Sequence, residues 1–291
     1  MADMADMADM AAMPVVVGVD GSEESLRAAV WAAQEAQRRQ SPLRIVSAAA
    51  MPPRMRACDL TRRPVADELC GESARALSEA VNQSKGVSSR LLVEASLLIG
   101  PPALAVTDSG SGALMLVVGA RGSGGFDAML LGSVSRYAAM HARCPVVVVR
   151  EETCAVHEVV VGLRDLQDTT ATLEFAFGEA ALRGATLVAV HSWDGLPSAT
   201  WHPANPGQLA AEANTDLAEA LRPWRDKYPA VPVRQDVVID HPARVLACYT
   251  SRADLVVIGR RSGGTGPAVG GIQHAVLSHA RGPVAIVPSP G

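Results

Sequence analysis

The chain is written twice. Val15-Val-Val-Gly-Val19 matches Val159-Val-Val-Gly-Leu163, and Pro42-Leu-Arg-Ile-Val46 matches Thr186-Leu-Val-Ala-Val190. Leu116-Val-Val-Gly119 falls on Val256-Val-Ile-Gly259, and His141-Ala-Arg-Cys-Pro145 on His279-Ala-Arg-Gly-Pro283. Four anchors in the same order mean a duplicated unit, and 291 residues give each copy enough chain to bury its own core. The expected boundaries are a leader over 1–13, a first domain over 14–151 and a second over 157–291. The leader repeats Met-Ala-Asp three times, has little to bury and is expected to be disordered, with Met13 a sensible functional start.

Each copy opens on a Val-rich run whose continuous apolarity suits a strand buried on both faces of a parallel sheet. Ser22-Glu-Glu-Ser25 then supplies a helix cap and early acids, with Leu26, Ala29, Val30 and Ala33 on one helical face. In the second copy Asp168 or Thr169 is the expected cap, ahead of Leu173, Ala176, Phe177 and Ala180. The first copy continues as strand (44–48), helix (about 65–83), strand (about 91–96), short helix (about 102–109), strand (114–119), helix (133–142) and strand (146–149). This alternation is the signature of right-handed βαβ units, hence a five-stranded parallel sheet with helices on both faces in each copy.

The chemistry concentrates in Gly119-Ala-Arg121-Gly122 and, nine residues on, Gly132-Ser133-Val134-Ser135. This segment joins the carboxyl end of a buried strand to a helix start, the edge where open α/β sheets bind ligands and where free helix N–H groups hold anions. Gly119 and Gly122 would let backbone approach a ribose and phosphates. Ser133 and Ser135 would add donors, with Ser133 doubling as the helix cap. The Gly-x2-Gly-x9-Gly-Ser loop, with Val-Gly-Val19-Asp20-Gly-Ser22 at the first strand end, resembles the nucleotide-binding class of universal stress proteins, in a tandem form similar to actinobacterial members. The resemblance spans the chain after Met13, once per half. It implies a Rossmann-like, adenine-nucleotide α-hydrolase-like fold in each domain and an ATP or other adenine-nucleotide site, with or without Mg2+. The contacts it implies are Val19, Asp20, Ala48, Gly119, Arg121, Gly122, Gly132, Ser133, Val134 and Ser135, with Asp20 near the adenine and Ala48 lining the base pocket. Read alone, Asp20 is equally a helix-initiating residue, and Arg121 equally a solvated surface side chain.

The second copy has diverged. Arg164 stands at the place of Asp20 and Leu166 at that of Ser22, and an arginine cannot accept the hydrogen bond a carboxylate accepts. Its loop reads Gly259-Arg260-Arg261-Ser262, seven residues, then Gly270-Gly271-Ile272-Gln273, so the second site is expected to be degenerate. Arg164, Arg260 and Arg261 leave a small-anion site open. No Gly-x4-Gly-Lys-Ser/Thr loop and no Gly-x-Gly-x-x-Gly after the first strand occurs, which argues against a P-loop NTPase and a dinucleotide dehydrogenase. The Ser-Gly-Gly-x-Asp-Ser loop of ATP-using enzymes with a related fold is also absent.

A net charge of −4 gives no footprint for nucleic acid or an anionic membrane, and no apolar run is long enough to span a bilayer. The expectation is a cytoplasmic protein. Five cysteines without a CxxC pair support neither a disulfide framework nor a zinc site. The seven histidines form no short-range ligand pair, and no nucleophile has an evident base partner. The reading is therefore a nucleotide-binding regulatory protein of the stress response, not a fast enzyme, acting as a homodimer through its apolar terminal strands and toward an unknown protein partner. The alternative is a dimerisation or interaction scaffold without functional nucleotide binding.

Overall fold

The computed structural model describes residues 13–50, 63–122, 130–150, 156–164, 166, 169–193, 206–260 and 271–289. Its contacts divide the chain into two units, Met1–Glu151 and Glu152–Gly291.

The first unit runs β1 (Val15–Gly18), α1 (Glu23–Arg39), β2 (Leu43–Ala49), α2 (Arg63–Val87), β3 (Val93–Ile99), α3 (Pro102–Ser109), β4 (Met115–Gly119), α4 (Ser133–His141) and β5 (Val146–Val149). All its strand pairs are parallel, in the order β3-β2-β1-β4-β5. The second unit repeats this with β6 (Glu158–Leu163), α5 (Thr170–Arg183), β7 (Thr186–Trp193), α6 (Pro206–Lys227), β8 (Val233–Ile239), α7 (Pro242–Tyr249), β9 (Leu255–Arg260), α8 (Gly271–His279) and β10 (Val284–Pro288). Its strand order is β8-β7-β6-β9-β10. The expected α/β fold, a five-stranded parallel sheet in each unit, is thus present. In the first unit α1 packs with α2 and α3 with α4, covering the two faces of the sheet.

The Val-rich runs are doubly covered. Val15, Val16 and Val17 of β1 and Val159, Val160 and Val161 of β6 have no exposed surface. Burying one such side chain stabilises by about 1.5–3 kcal/mol, so the central strands anchor each unit. β3 starts two residues later and ends three residues later than its sequence suggests. Its apolar run Leu97-Leu98-Ile99 continues to a turn at Gly100, where φ is +145° and the Gly100 N–H donates to Ala49 O at 3.0 Å.

One polar feature repeats inside this apolar setting. Glu35 on α1 is fully buried, its Oε1 accepting from Arg39 Nε at 2.6 Å and its Oε2 from Arg38 Nη1 at 3.2 Å. Glu179 on α5 is equally buried, pairs with Arg183, and lies at the interval that separates Val15 from Val159.

The strand order reverses direction between β1 and β4, because β1 leads outward to β2 and β3 and the chain returns to the other side of β1 at β4. In sheets of this kind the loops after the two switch strands diverge and leave a crevice at their carboxyl ends. In the first unit the residues entering that crevice are Val19-Asp20 and Ala120-Arg121-Gly122; in the second they follow β6 and β9.

Candidate functional site

Val19 is buried and donates its N–H to Val46 O at 2.8 Å, which carries the β1–β2 pairing to the sheet edge. Asp20 emerges beyond it into solvent. Its Oδ1 accepts from the Ser22 N–H at 3.0 Å and from the Ser22 hydroxyl at 2.6 Å, while Ser22 Oγ accepts from the Ser25 N–H at 3.2 Å as the cap of α1. Asp20 therefore shapes the turn before the helix, and Ser22 caps it. These bonds hold the carboxylate so that a Cβ placed on Gly122 would lie 2.3 Å from Asp20 Oδ2. Gly122 is glycine because this carboxylate occupies the space beside it.

Gly119 is held for a different reason. A Cβ there would lie 2.8 Å from Glu24 C, 2.9 Å from Glu24 O and 2.9 Å from Ser25 N, so the first turn of α1 rests on the end of β4. Glu24 also holds Arg121, whose Nε and Nη2 donate to Oε1 at 3.0 and 2.8 Å. Arg121 is consequently a partner of α1, its guanidinium engaged within the unit.

The far side of the loop closes on the near side, the Gly132 N–H donating to Ala120 O at 2.8 Å. Ser133 is not the helix cap that its sequence position suggests: Gly132 occupies the cap in extended conformation, no side chain caps α4, and its first turn carries no acid. The chain enters α4 through the Gly132–Ala120 bond, which places Ser133 one residue inside the helix. Ser133 is exposed, Val134 half-buried and Ser135 buried, and the Ser135 hydroxyl donates to Gly119 O at 2.5 Å. That proton fastens the helix to the strand end. Ala48, half-buried on β2 and paired with Leu98, stands at the same sheet edge, two residues beyond the Gly18–Val46 pairing. Asp20, Gly119, Arg121, Gly122 and Gly132–Ser135 thus lie together at the carboxyl ends of β1 and β4. Residues 123–129, Asp127 among them, lie outside the described residues.

In the second unit Arg164 is exposed at the place of Asp20. A Cβ on Gly259 would meet Thr172 Oγ1 at 2.6 Å, a side-chain atom in place of the α1 backbone that faces Gly119. Gln273 Nε2 donates to Gly259 O at 3.0 Å, reproducing with a longer side chain the bond that Ser135 makes to Gly119. Sequence alone registers Gln273 as a lost hydroxyl; the structure shows the fastening retained. Arg260 O accepts from the N–H and hydroxyl of Ser289 at 3.1 and 2.8 Å, and His191 Nδ1 lies 2.8 Å from Leu163 O. Thr169 takes the cap position of α5 without a capping side-chain bond. Arg261, Ser262 and Gly270 lie outside the described residues, as does Asp168.

An open cavity of about 370 Å³ adjoins the first-unit loop, lined by Ala103, Ser133, Arg136, Tyr137, Met140 and His141. The His141 ring stacks on Tyr137 at 4.1 Å, with Nδ1 2.9 Å from Tyr137 O, so this histidine is a packed helix terminus. Among the described residues no three His, Cys, Asp or Glu side chains gather as metal ligands, and no helix is long and apolar enough to cross a membrane.

Comparison with known proteins gives a consistent result. The profile of the Universal stress protein family matches residues 12–150 and 156–288. A universal stress protein of Mycobacterium tuberculosis is 34% identical over 285 residues, covering 93% of this chain and 95% of its own. The crystal structure of a universal stress protein from Archaeoglobus fulgidus superposes with a TM-score of 0.70 at 16% identity, covering 95% of this chain and 96% of its own, a likeness of fold. A universal stress protein solved in complex with cAMP is 30% identical over 49% of this chain and 99% of its own, at a TM-score of 0.40.

Proposed function

The chain belongs to the universal stress protein family, and from that premise we propose that it is a regulatory protein that binds one adenine nucleotide, ATP by preference, in the crevice of its first unit. The observation that carries this reading is the convergence of the Asp20 carboxylate, Gly122 and the uncapped start of α4 at the β1–β4 switch point. Asp20 offers the acceptor that an adenine amino group requires, with Val19 and Ala48 beside the base. Gly119 lets α1 rest on the end of β4, the ribose is placed at Gly122 beside Asp20, and the N–H groups of Ser133, Val134 and Ser135 meet the phosphates. Arg121 and the Ser135 hydroxyl serve by holding α1 and α4 against β4.

The same arrangement favours binding over turnover. Rapid phosphoryl transfer to water needs a positioned base or orienting residue besides charge neutralisation; α4 carries no carboxylate, and its histidine, His141, lies at the opposite end from Ser133, stacked on Tyr137. The second unit has Arg164 where an acceptor is required, so it is not expected to hold the same nucleotide.

Native mass spectrometry of the purified protein, followed by ATP titration, tests the reading. The expected result is about one nucleotide per chain, with phosphate release far below the roughly 10 per second of a typical enzyme. Two equivalent tight sites would refute the assignment to one unit. Absence of any binding would leave the scaffold reading in its place.

A further inference from the structure

The terminal strands, on which the sequence places a homodimer, offer a second copy no apolar side chains: Val146–Val149 of β5 are buried, as are Val284, Ala285, Ile286 and Val287 of β10. An apolar surface lies instead on α3 and α4 of the first unit, where Leu104 and Met140 are 44% and 49% exposed. Tyr137 and Met140 wall the open cavity together with Ala103, the residue before Leu104, so one surface presents a recess and, beside it, an exposed leucine. Asp108 follows Leu104 by four residues on α3, and Arg136 precedes Met140 by four on α4, so each charge shares the exposed face of its apolar neighbour. Among the described residues neither charged side chain makes a hydrogen bond or ion pair.

The duplication shows that the fold does not require this surface. The second unit has Arg244 at the place of Leu104, Cys248 at that of Asp108, His274 at that of Arg136, Ala275 at that of Tyr137 and Ser278 at that of Met140. It nevertheless builds the same two helices, α7 packing on α8 as α3 packs on α4. Arg244 is exposed there and lies 3.6 Å from Asp240, as a solvated residue does. A single exposed apolar side chain is ordinary, but several gathered around a recess, and absent from the twin, mark an interaction surface.

We propose that the α3–α4 face of the first unit docks a second copy of this chain about a two-fold axis. Self-complementarity selects that occupant. A two-fold contact sets one patch against itself, so the patch must hold both a projection and a recess, and both a cation and an anion. This patch holds all four. Leu104 of one protomer enters the recess walled by the partner's Tyr137 and Met140, and Arg136 meets the partner's Asp108. A partner surface of one charge would satisfy Arg136 or Asp108 and repel the other.

Sedimentation equilibrium of the full chain over a wide range of concentration tests the proposal. The variants are Leu104→Arg with Met140→Ser, the charge reversals Asp108→Arg and Arg136→Asp singly and together, and Leu182→Arg. The first pair installs the residues that the second unit carries at these places, so the helices are expected to fold, which thermal unfolding checks. Leu182→Arg puts the same charge on an exposed leucine of α5 and is the control. The wild type is expected to dimerise reversibly, the first pair to weaken dimerisation at least about tenfold, the scale of one lost anchor, and Leu182→Arg to stay within about twofold. Each charge reversal alone is expected to weaken the dimer, and the two together to restore it, because the attraction is recreated with its signs exchanged. A chain that is monomeric at every concentration overturns the proposal and leaves the face to a different protein. A dimer untouched by the first pair, or charge reversals that fail to compensate, would overturn it as well.

Discussion

Replacing Gly119 by alanine should destabilise the protein more than the same change at Gly259, although both glycines end the equivalent strand. At Gly119 the new methyl meets three backbone atoms of α1 at 2.8, 2.9 and 2.9 Å. Relieving that overlap means withdrawing the first turn of α1, which also carries the Glu24–Arg121 pair. Overpacking of this kind costs about 1–3 kcal/mol. The loss of chain entropy in the unfolded state offsets about 0.4–1 kcal/mol for any such substitution, leaving a net cost of about 1–2 kcal/mol at Gly119. At Gly259 the close atom is Thr172 Oγ1 at 2.6 Å, while Thr172 Cβ and Cγ2 stand at 3.7 and 3.8 Å. A single side-chain atom is in the way there, which can give at less cost than a helix backbone, so the net effect at Gly259 is smaller. Thermal unfolding of the full chain followed by circular dichroism should place Gly119→Ala about 2–8 °C below Gly259→Ala. Equal melting temperatures, or a lower one for Gly259→Ala, would refute the view that α1 rests on Gly119 through its backbone.

Ser135→Ala and Gln273→Ala each remove the bond that fastens a helix to a strand end and should each cost about 1 kcal/mol in urea unfolding; a Ser135→Ala protein of full stability that no longer binds nucleotide would place the hydroxyl on the ligand instead. Tyr249 donates its phenol proton to Asp236, and burial first, then this bond, raises its pKa above the ordinary value of 10.0. A raised folded-state pKa means that the native state holds the proton longer than the unfolded state, so this contribution is complete below pH 10 and is lost as pH rises through the folded value. Tyr249→Phe should show a shallower loss of urea stability above that pH than the wild type, and an identical slope would remove Tyr249 from the alkaline response.

Where the fold was legible, the signal was apolar continuity. Runs such as Val146–Val149 have no polar residue to misplace them, and the duplication allowed each to be checked against its twin. β3 was harder to place because an edge strand, exposed on alternate residues, lacks that continuity, and its end is set by the turn at Gly100. The loop's position followed from its glycines, but the task of each residue did not. Spacing does not distinguish a serine that caps a helix from one that follows its cap, nor a hydroxyl facing solvent from one facing Gly119 O. The pairing of Arg121 with Glu24 spans 97 positions and leaves no local pattern, and the equivalence of Ser135 and Gln273 lies in a shared bond between dissimilar side chains.

The buried Glu35 has a consequence for how α1 settles on the sheet. Its inner face is made of Ala28, Ala29, Ala32, Ala33 and Ala36, all small and of one shape. A cylinder so smooth has little steric preference for one rotational phase over a neighbouring one, since interdigitation needs large and small groups in alternation. A charged cluster supplies what the methyl groups lack: Glu35, Arg38 and Arg39 belong to one helix and turn together, and a rotation toward the sheet would carry the partly exposed guanidiniums onto aliphatic surface, at a cost of several kcal/mol. In α1 the alanines provide the fit, and the charged cluster at its last turn acts as the key in the shaft.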